Sequence, residues 1–506
     1  MQRTLPDAAQ RLTDEPCTTE GGRRCSRAAE GEALRDLLRQ AGPLVTGSLF
    51  DIVADRCTLM FVGHWDYLEP SHYAGAGLGK MYSNITGLSL GVSANIGLAT
   101  FCAQAHGAGR SRELNGVFLR RAWVLLLCVF LFALCSATFA ESILSTLGQP
   151  LDVAHTSARF AQVHLIGVPF YWATSSMTIA LNSTKRTSPG LVTRIVSSCA
   201  QLLFCWLLTD PRMPFRIGYL GVALGRSLGG IVSLLVMTAY VKLHGLQELT
   251  WRLHAGAERV MGLQAFKDHL GVSLPSALIV WSEWWAFEVL AIFVGLTPDS
   301  VMNLSAHGTM FNTIVVTYVI WTSMSNAVCI LVGNLLGAGA NAEIRPLLRA
   351  ALGLSLCTAV AVALGYEVLK RPLARAFTED AAVQDVMCRS SVGLVLSVPL
   401  YAQAMTFFGA LRGANRQRPG IMGTFIGYWV VGLPLGGLLG CVWHWPTPLV
   451  GVWLGNVCAL AIAAAWVCST VFLRIDWMSV ERVVTTAPVA CDSGSRELAR
   501  RDCEAS

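Results

Sequence analysis

Hydrophobic positions along this chain come in long blocks, with polar residues confined to short breaks between them. A membrane-crossing helix needs about 20 apolar residues. Twelve stretches answer to that, roughly 43–63, 78–102, 122–143, 159–181, 190–209, 217–241, 270–296, 303–333, 350–369, 389–411, 421–442 and 448–473, called spans 1 to 12 here. Span 8 is longer than a crossing requires and is expected to tilt. The longest polar connection inside this block, 243–268, lies at its midpoint. It sets Leu249, Trp251 and Leu253 beside Arg252 and Arg259 and reads as an amphipathic linker. The expected organisation is a polar tail over 1–40, an N-lobe of spans 1–6 over 41–242, the linker 243–268, a C-lobe of spans 7–12 over 269–473, and a second tail over 474–506.

The two halves repeat. Gly107-Ala108-Gly109 recurs as Gly337-Ala338-Gly339, and Ala180-Leu181…Arg186…Pro189-Gly190 as Ala410-Leu411…Arg416…Pro419-Gly420, both at an offset of 230. Pro43 and Phe61-Val62-Gly63 recur as Pro275 and Phe293-Val294-Gly295 at 232. A repeat unit of six spans, an even number, inserts both copies the same way up, related by an axis along the membrane normal. Two such bundles around a central cavity are a transporter design.

Composition sharpens the class. Of 506 residues, 53% are hydrophobic and 14% charged, against about a quarter charged in soluble domains. The tails 1–40 and 474–506 hold 25 of the 70 charged residues, so 41–473 carries too few to cover a soluble surface. This excludes a soluble enzyme. Loops 2–3, 4–5, 6–7, 8–9 and 10–11 carry fifteen Lys and Arg, against about six in the odd-numbered loops. By the positive-inside rule the even loops and both termini are expected in the cytoplasm. The net charge of +6 fits this bias and needs no nucleic-acid partner. The sixteen cysteines lie mostly inside apolar runs, and read as small buried hydrophobes rather than a disulfide framework. The polar N-terminus lacks the apolar core of a secretory signal. Gly75-Ala76-Gly77-Leu78-Gly79-Lys80 lacks phosphate-loop spacing and reads as close helix packing. No nucleotide-binding domain is expected in this chain.

Ionisable residues inside spans are costly, about 2.5–3.5 kcal/mol at a helix centre on insertion scales, and are usually functional. They are few: Asp51, Asp55 and Arg56 in span 1, Glu283 and Glu288 in span 7, and Arg194 and Arg226 nearer the even-loop side. At the offset of 232, Asp51 falls on Glu283 and Arg56 on Glu288. Each lobe therefore places a carboxylate at the same depth, eight residues after its proline. Asp55 shares the face of Asp51, one turn on. For Asp51, Asp55 and Glu288, an ion-pair network that lets the helices insert is the alternative to a working site. Trp281, Trp284 and Trp285 flank Glu283, with Tyr318, Trp321, Tyr401, Tyr428 and Trp429 on spans 8, 10 and 11. Desolvation favours the protonated form of a carboxyl, and aromatic faces bind organic cations. His164 and His307 read as packing residues.

Several motifs carry a resemblance. Asn84-Ile85-Thr86-Gly87 with Ala103-Gln104-Ala105-His106-Gly107-Ala108-Gly109 resembles the second-helix signature of the multidrug and toxic compound extrusion (MATE) family. Glu283-Trp284-Trp285-Ala286-Phe287-Glu288 is similar to the seventh-helix motif of its eukaryotic branch. Gly333-Asn334-Leu335-Leu336-Gly337-Ala338-Gly339, Leu411-Arg412-Gly413…Gln417 and Gly427-Tyr428-Trp429-Val430-Val431-Gly432-Leu433-Pro434 match further motifs in order, over about 38–473. The resemblance implies an all-α membrane fold of twelve helices in two six-helix lobes, shaped as a V, exchanging cations, usually protons, for organic compounds. It implies Glu283 as the coupling acid and Asn312-Thr313 as a polar pair lining the cavity. The chain departs from the family pattern: Tyr401 stands where many animal members have a carboxylate, with Ala99, Leu331 and Ser48 where acidic, arginine and glutamine residues are usual. The bacterial first-helix aspartate aligns nearer Thr58 than Asp51 or Asp55.

The expected protein is thus a monomeric, proton-coupled antiporter of organic, cationic substrates, without cofactor, metal or ATPase domain. Its expected site comprises Glu283, Asp51, Asp55, Glu288, Asn84, Asn312, Trp284, Trp285, Tyr318, Tyr401 and Tyr428. Asp51 and Asp55 leave sodium open as the coupling ion. The alternatives are a major-facilitator-type carrier and a receptor or scaffold derived from a transporter.

Overall fold

The structure, a computed structural model, describes residues 19–63, 70–253, 262–377 and 380–483. The first and last parts of the two tails, and Arg259 with the rest of 254–261 in the linker, lie outside the described residues. Everything regular in the described residues is helical. Ten helices are long and apolar enough to cross a membrane: Ser71–Gly107, Ser111–Thr138, Ser188–Thr209, Leu220–Leu243, Leu263–Gly295, Ser300–Ala338, Asn341–Ala376, Ala381–Gly413, Arg418–Val442 and Pro448–Arg474. They are spans 2, 3 and 5 to 12.

Spans 1 and 4 complete the twelve, and each misses that apolar standard for a physical reason. Span 1 is a continuous helix, Thr19–Gly63, but Asp51, Asp55 and Arg56 fall close together in its apolar half. Span 4 is two helices, Leu151–Leu165 and Val168–Ser183, separated at Ile166-Gly167. Gly167 at this break lets span 4 close on span 6, since a Cβ there would overlap the Ser227 backbone. Several helices also begin earlier than their apolar runs suggest. Span 2 starts near Pro70 rather than 78, because Gly75 and Gly79 let it pack on Thr156 and Ser157 of span 4. The stretch 28–40, polar in sequence, continues the span 1 helix, and Leu37 within it is fully buried.

The lobes meet about a pseudo-two-fold axis, and the contacts come in symmetric pairs. A Cβ on Gly107 would overlap the Asn334 carbonyl, and one on Gly337 would overlap that of Gln104. These four residues exchange at the offset of 230. Gln104 Nε2 donates to the Gly413 carbonyl at 3.1 Å. Asn334, with its amide nitrogen turned toward the surrounding carbonyls, donates to the symmetry-related Ser183 carbonyl at 3.2 Å. Without a hydrophobic drive between helices in lipid, small residues that let backbones approach, together with such hydrogen bonds, supply the association. This seam lies at the even-loop face. Spans 1 and 7 flank it symmetrically. Leu37 and Leu44 of span 1 pack into the C-lobe core, while His269 and Ser273 of span 7 engage the Ala94 carbonyl of span 2.

Residues 475–483 then fold across that face. Trp477 and Val480 are buried in the C-lobe core, and Asn341 Nδ2 donates to the Trp477 carbonyl at 3.0 Å. Val483 N–H reaches over to Gln104 Oε1 of the N-lobe at 2.8 Å.

Gly337→Ala is expected to destabilise the protein by about 1–3 kcal/mol, the range for overpacking. Gly353→Ala, whose Cβ would meet open space, is the control. The check is thermal unfolding in detergent: a lower Tm for the first and none for the second.

Candidate functional site

The two carboxylates of span 1 are each met by cations from other N-lobe spans. Asp55 accepts from Lys80 Nζ of span 2 and from Arg226 Nη1 of span 6, each at 2.6 Å. Arg226 also reaches Thr58 Oγ1 at 3.3 Å and His164 Nε2 at 3.3 Å. Asp51 faces Arg194 of span 5 at 3.4 Å and accepts from Ser198 Oγ at 3.1 Å. Arg194 also donates to Ser48 at 2.6 Å. Asp51 and Asp55 are therefore held in ion pairs. Sequence reasoning missed Lys80, because it started span 2 at 78 and so left the lysine at the membrane edge. With the helix starting near Pro70, Lys80 lies well inside.

The C-lobe carboxyl is different. Glu283 is 2% exposed, and its Oε1 has no hydrogen-bond partner among the described residues. Among the described residues no cation is an electrostatic neighbour of it. Tyr318 and Tyr428 lie within electrostatic reach of it, and Tyr401 packs against Tyr318 with ring centroids 5.4 Å apart. The hydroxyls of Tyr401 and Tyr428 are buried and likewise unpartnered. Tyr428 sits in a π-helical stretch, Ile426–Gly432, a distortion that often marks functional sites. Gly427 and Gly432 allow it by packing directly on span 12.

Superposing the lobes isolates what changed. Asp51 corresponds to Glu283, Ser198 to Tyr428 and Tyr171 to Tyr401. Tyr171 lies within electrostatic reach of Asp51, so a carboxyl with a hydroxyl beside it occurs in both lobes. Arg194, however, corresponds to Thr424, which donates only to the Gly420 carbonyl. The N-lobe carboxyl has a guanidinium, and the C-lobe carboxyl has none among the described residues.

The other expected residues divide. Asn312 of span 8 accepts from Arg56 Nη1 of span 1 at 3.0 Å, bridging the lobes. Arg56 thus engages an amide rather than Glu288, which is exposed. Asn84 opens a π-helical turn in span 2, Asn84–Leu88, in the lobe opposite Glu283. Trp285 is exposed on span 7, whereas Trp284, also partly exposed, hydrogen-bonds with the Tyr318 hydroxyl. The structure thus gathers Glu283 with Tyr318, Tyr401 and Tyr428, joins Trp284 to them through Tyr318, and holds Asp51 and Asp55 in ion pairs of their own.

The fold and the doubled carboxyl agree with the comparisons. The MatE family model matches residues 43–207 and again 275–438. The chain belongs to the MatE family. The two matches begin 232 residues apart, the offset that relates Asp51 to Glu283. The human multidrug and toxin extrusion protein 1 is 26% identical over 460 residues, covering 90% of this chain and 77% of that protein. Protein DETOXIFICATION 17 of Arabidopsis thaliana is 26% identical over 433 residues, covering 85% and 88%. Among solved structures, the eukaryotic MATE transporter AtDTX14 superposes with a TM-score of 0.80 at 22% identity, covering 89% of this chain and 97% of that one. The Vibrio cholerae MATE transporter VcmN in its bent form gives 0.74 at 18%, covering 88% and 97%. This MATE chain is a multi-pass membrane protein of a multidrug and toxin extrusion family, and the major-facilitator alternative is overturned.

Arg226→Met leaves Asp55 with Lys80 alone and is expected to cost about 3–5 kcal/mol, as when one partner of a buried ion pair is removed. Adding Asp55→Asn to that variant is expected to recover part of the loss. Melting of the purified variants by fluorescence-detected size exclusion checks both.

Proposed function

We propose that this MATE chain is a secondary active antiporter that extrudes organic, cationic compounds in exchange for protons by alternating access. The observation that carries the reading is Glu283: buried, without a cation, and set among three tyrosines. A buried carboxyl needs either its proton or an opposite charge. An organic cation over aromatic rings supplies that charge, so proton and substrate occupy the site in turn. Arrival of a proton from outside weakens the hold on substrate and favours its release. Loss of the proton to the cytoplasm restores the high-affinity site. A gradient does work in this cycle only when Glu283 opens to one face in one conformation and to the other in the second.

The sealed seam at Gly107 and Gly337 fits a conformation closed on the even-loop face, which the positive-inside bias assigns to the cytoplasm together with both termini. Asp51 and Asp55 support the proton over sodium as coupling ion, because their oxygens are already engaged by Arg194, Ser198, Lys80 and Arg226.

In proteoliposomes with an imposed pH gradient, the wild-type chain is expected to accumulate a permanently charged cation such as tetraethylammonium. Glu283→Gln is expected to fall to the protein-free background, while Glu288→Gln keeps most of the flux. Full transport by the Glu283 variant would sink the assignment, and no flux by the wild type would favour the receptor reading.

A further inference from the structure

Loop 10–11 carries three arginines, and the fold uses one of them. Arg412 donates to Ser325 Oγ at 2.9 Å and to Asn326 Oδ1 at 3.0 Å. Arg416 and Arg418 are exposed, and neither has a side-chain partner among the described residues. Both border a cavity of about 520 Å³ between this loop and span 7 at Gly271 and Pro275. Gln417 lines the same cavity. It is only 3% exposed, yet its Nε2 is buried without a hydrogen-bond partner. Gln417 is also the N-cap of the helix that opens span 11, Arg418–Phe425, and its side chain makes no capping bond. The first N–H groups of a helix have no partner within it, and they form its positive end. That end therefore borders the cavity too.

The N-lobe counterpart is closed by the chain itself. Loop 4–5 makes the same turn, with Lys185 at φ 59° where loop 10–11 has Asn415 at φ 55°. There Lys185 Nζ donates to Asp36 of span 1 at 2.8 Å, and Gln40 Nε2 donates to the Asn182 carbonyl at 2.9 Å. In span 7 these two positions are Asp268 and Val272. Asp268 accepts from Gln264 at 2.9 Å and lies within electrostatic reach of Arg121 of the N-lobe, and a valine side chain cannot donate. The gap beside loop 10–11 therefore stays open, and a Cβ on Gly271 would meet nothing within 4 Å. We propose that this cavity is a binding site for a phosphate monoester, held by Arg416, Arg418, the Gln417 amide and the span 11 helix end. Two guanidinium groups match a doubly charged, several-oxygen anion, and a helix N-terminus is suited to the same group. A carboxylate would leave one arginine without its charge. Glu283 and its tyrosines do not line the cavity, so the site is separate from the buried acid and stands whether or not the chain transports. It nevertheless braces the helices that hold that acid. Glu283 follows Pro275 by about two turns on span 7, Tyr428 lies on span 11, and Trp429 Nε1 joins the two spans at Ser282 Oγ, 2.9 Å away.

A free phosphate ester and a phosphorylated lipid headgroup offer the same chemistry, and two measurements on the full chain in phosphatidylcholine nanodiscs separate them. Calorimetric titration with inorganic phosphate and with inositol trisphosphate reads the soluble source. Native mass spectrometry of nanodiscs doped with phosphatidylinositol bisphosphate counts retained lipid. The wild type is expected to bind at one saturable site: retained lipid assigns a headgroup, and soluble binding without it assigns a free ester. Arg416→Gln and Arg418→Gln are each expected to weaken binding about tenfold, the change associated with one charge-assisted hydrogen bond. Arg345→Gln, exposed on the same face, is expected to leave it unchanged. Gly271→Glu sets a carboxylate in the open space of the cavity and is expected to abolish binding while the melting temperature holds. Absence of binding by the wild type in both measurements overturns the proposal. So does a loss in Arg345→Gln as large as in Arg416→Gln, which would mark general attraction to a basic face, or undiminished binding by Gly271→Glu.

Discussion

A charge withdrawn from water must be given a partner, and in hydrocarbon this requirement governs where helices can go. Span 1 could not lie in a bilayer with Asp51 and Asp55 bare. Lys80, Arg194 and Arg226 come from three other spans to meet them, and in doing so they fix the N-lobe helices around span 1. The ion pairs therefore act as architecture. Their cost is recovered only because both members are present, and such pairs define which helices are neighbours more than they add stability.

The C-lobe is built without that device. Its core is one large apolar cluster that extends from Leu37 of span 1 to Trp477 beyond span 12, where the N-lobe core is divided into several smaller ones. Within the C-lobe, Glu283 and the phenols of Tyr401 and Tyr428 are polar atoms without partners. Buried polar atoms are normally satisfied; others without partners are spread through both lobes, but these three groups belong to one aromatic cluster. A doubled ancestral arrangement has thus diverged into one lobe that holds its charges closed and one that leaves its acid available.

Much of this was legible in the sequence. Apolar run length alone placed twelve spans, ten of which are helices long and apolar enough to cross a membrane among the described residues, and the Gly-Ala-Gly repeat located the axis on which Gly107 and Gly337 meet. Glu283 stood out because one acid in a long apolar run has few structural uses. What stayed hidden depended on helix phase and on long-range partners. Lys80 was disguised because the apolar run begins only near 78, two residues before it, whereas the helix begins at Pro70. Tyr171 and Ser198 carry no signal of their own and gain meaning only by falling on Tyr401 and Tyr428 when the lobes are superposed. Asp51 and Asp55 were visible, but whether they work or merely balance charge depended on whether Arg194 and Arg226 pointed toward them.

The segment 475–483 has a consequence for biosynthesis. Gln104 Oε1 receives its hydrogen bond from an amide 379 residues later in the chain. During translation the N-lobe can insert and settle its ion pairs while the C-lobe is still unmade, yet the face where the lobes meet cannot be finished until Trp477 and Val483 leave the ribosome. Assembly of the two halves is therefore ordered in time. The N-lobe matures first, the C-lobe docks on it, and the closing of the joint waits for one of the last parts of the membrane domain to be synthesised.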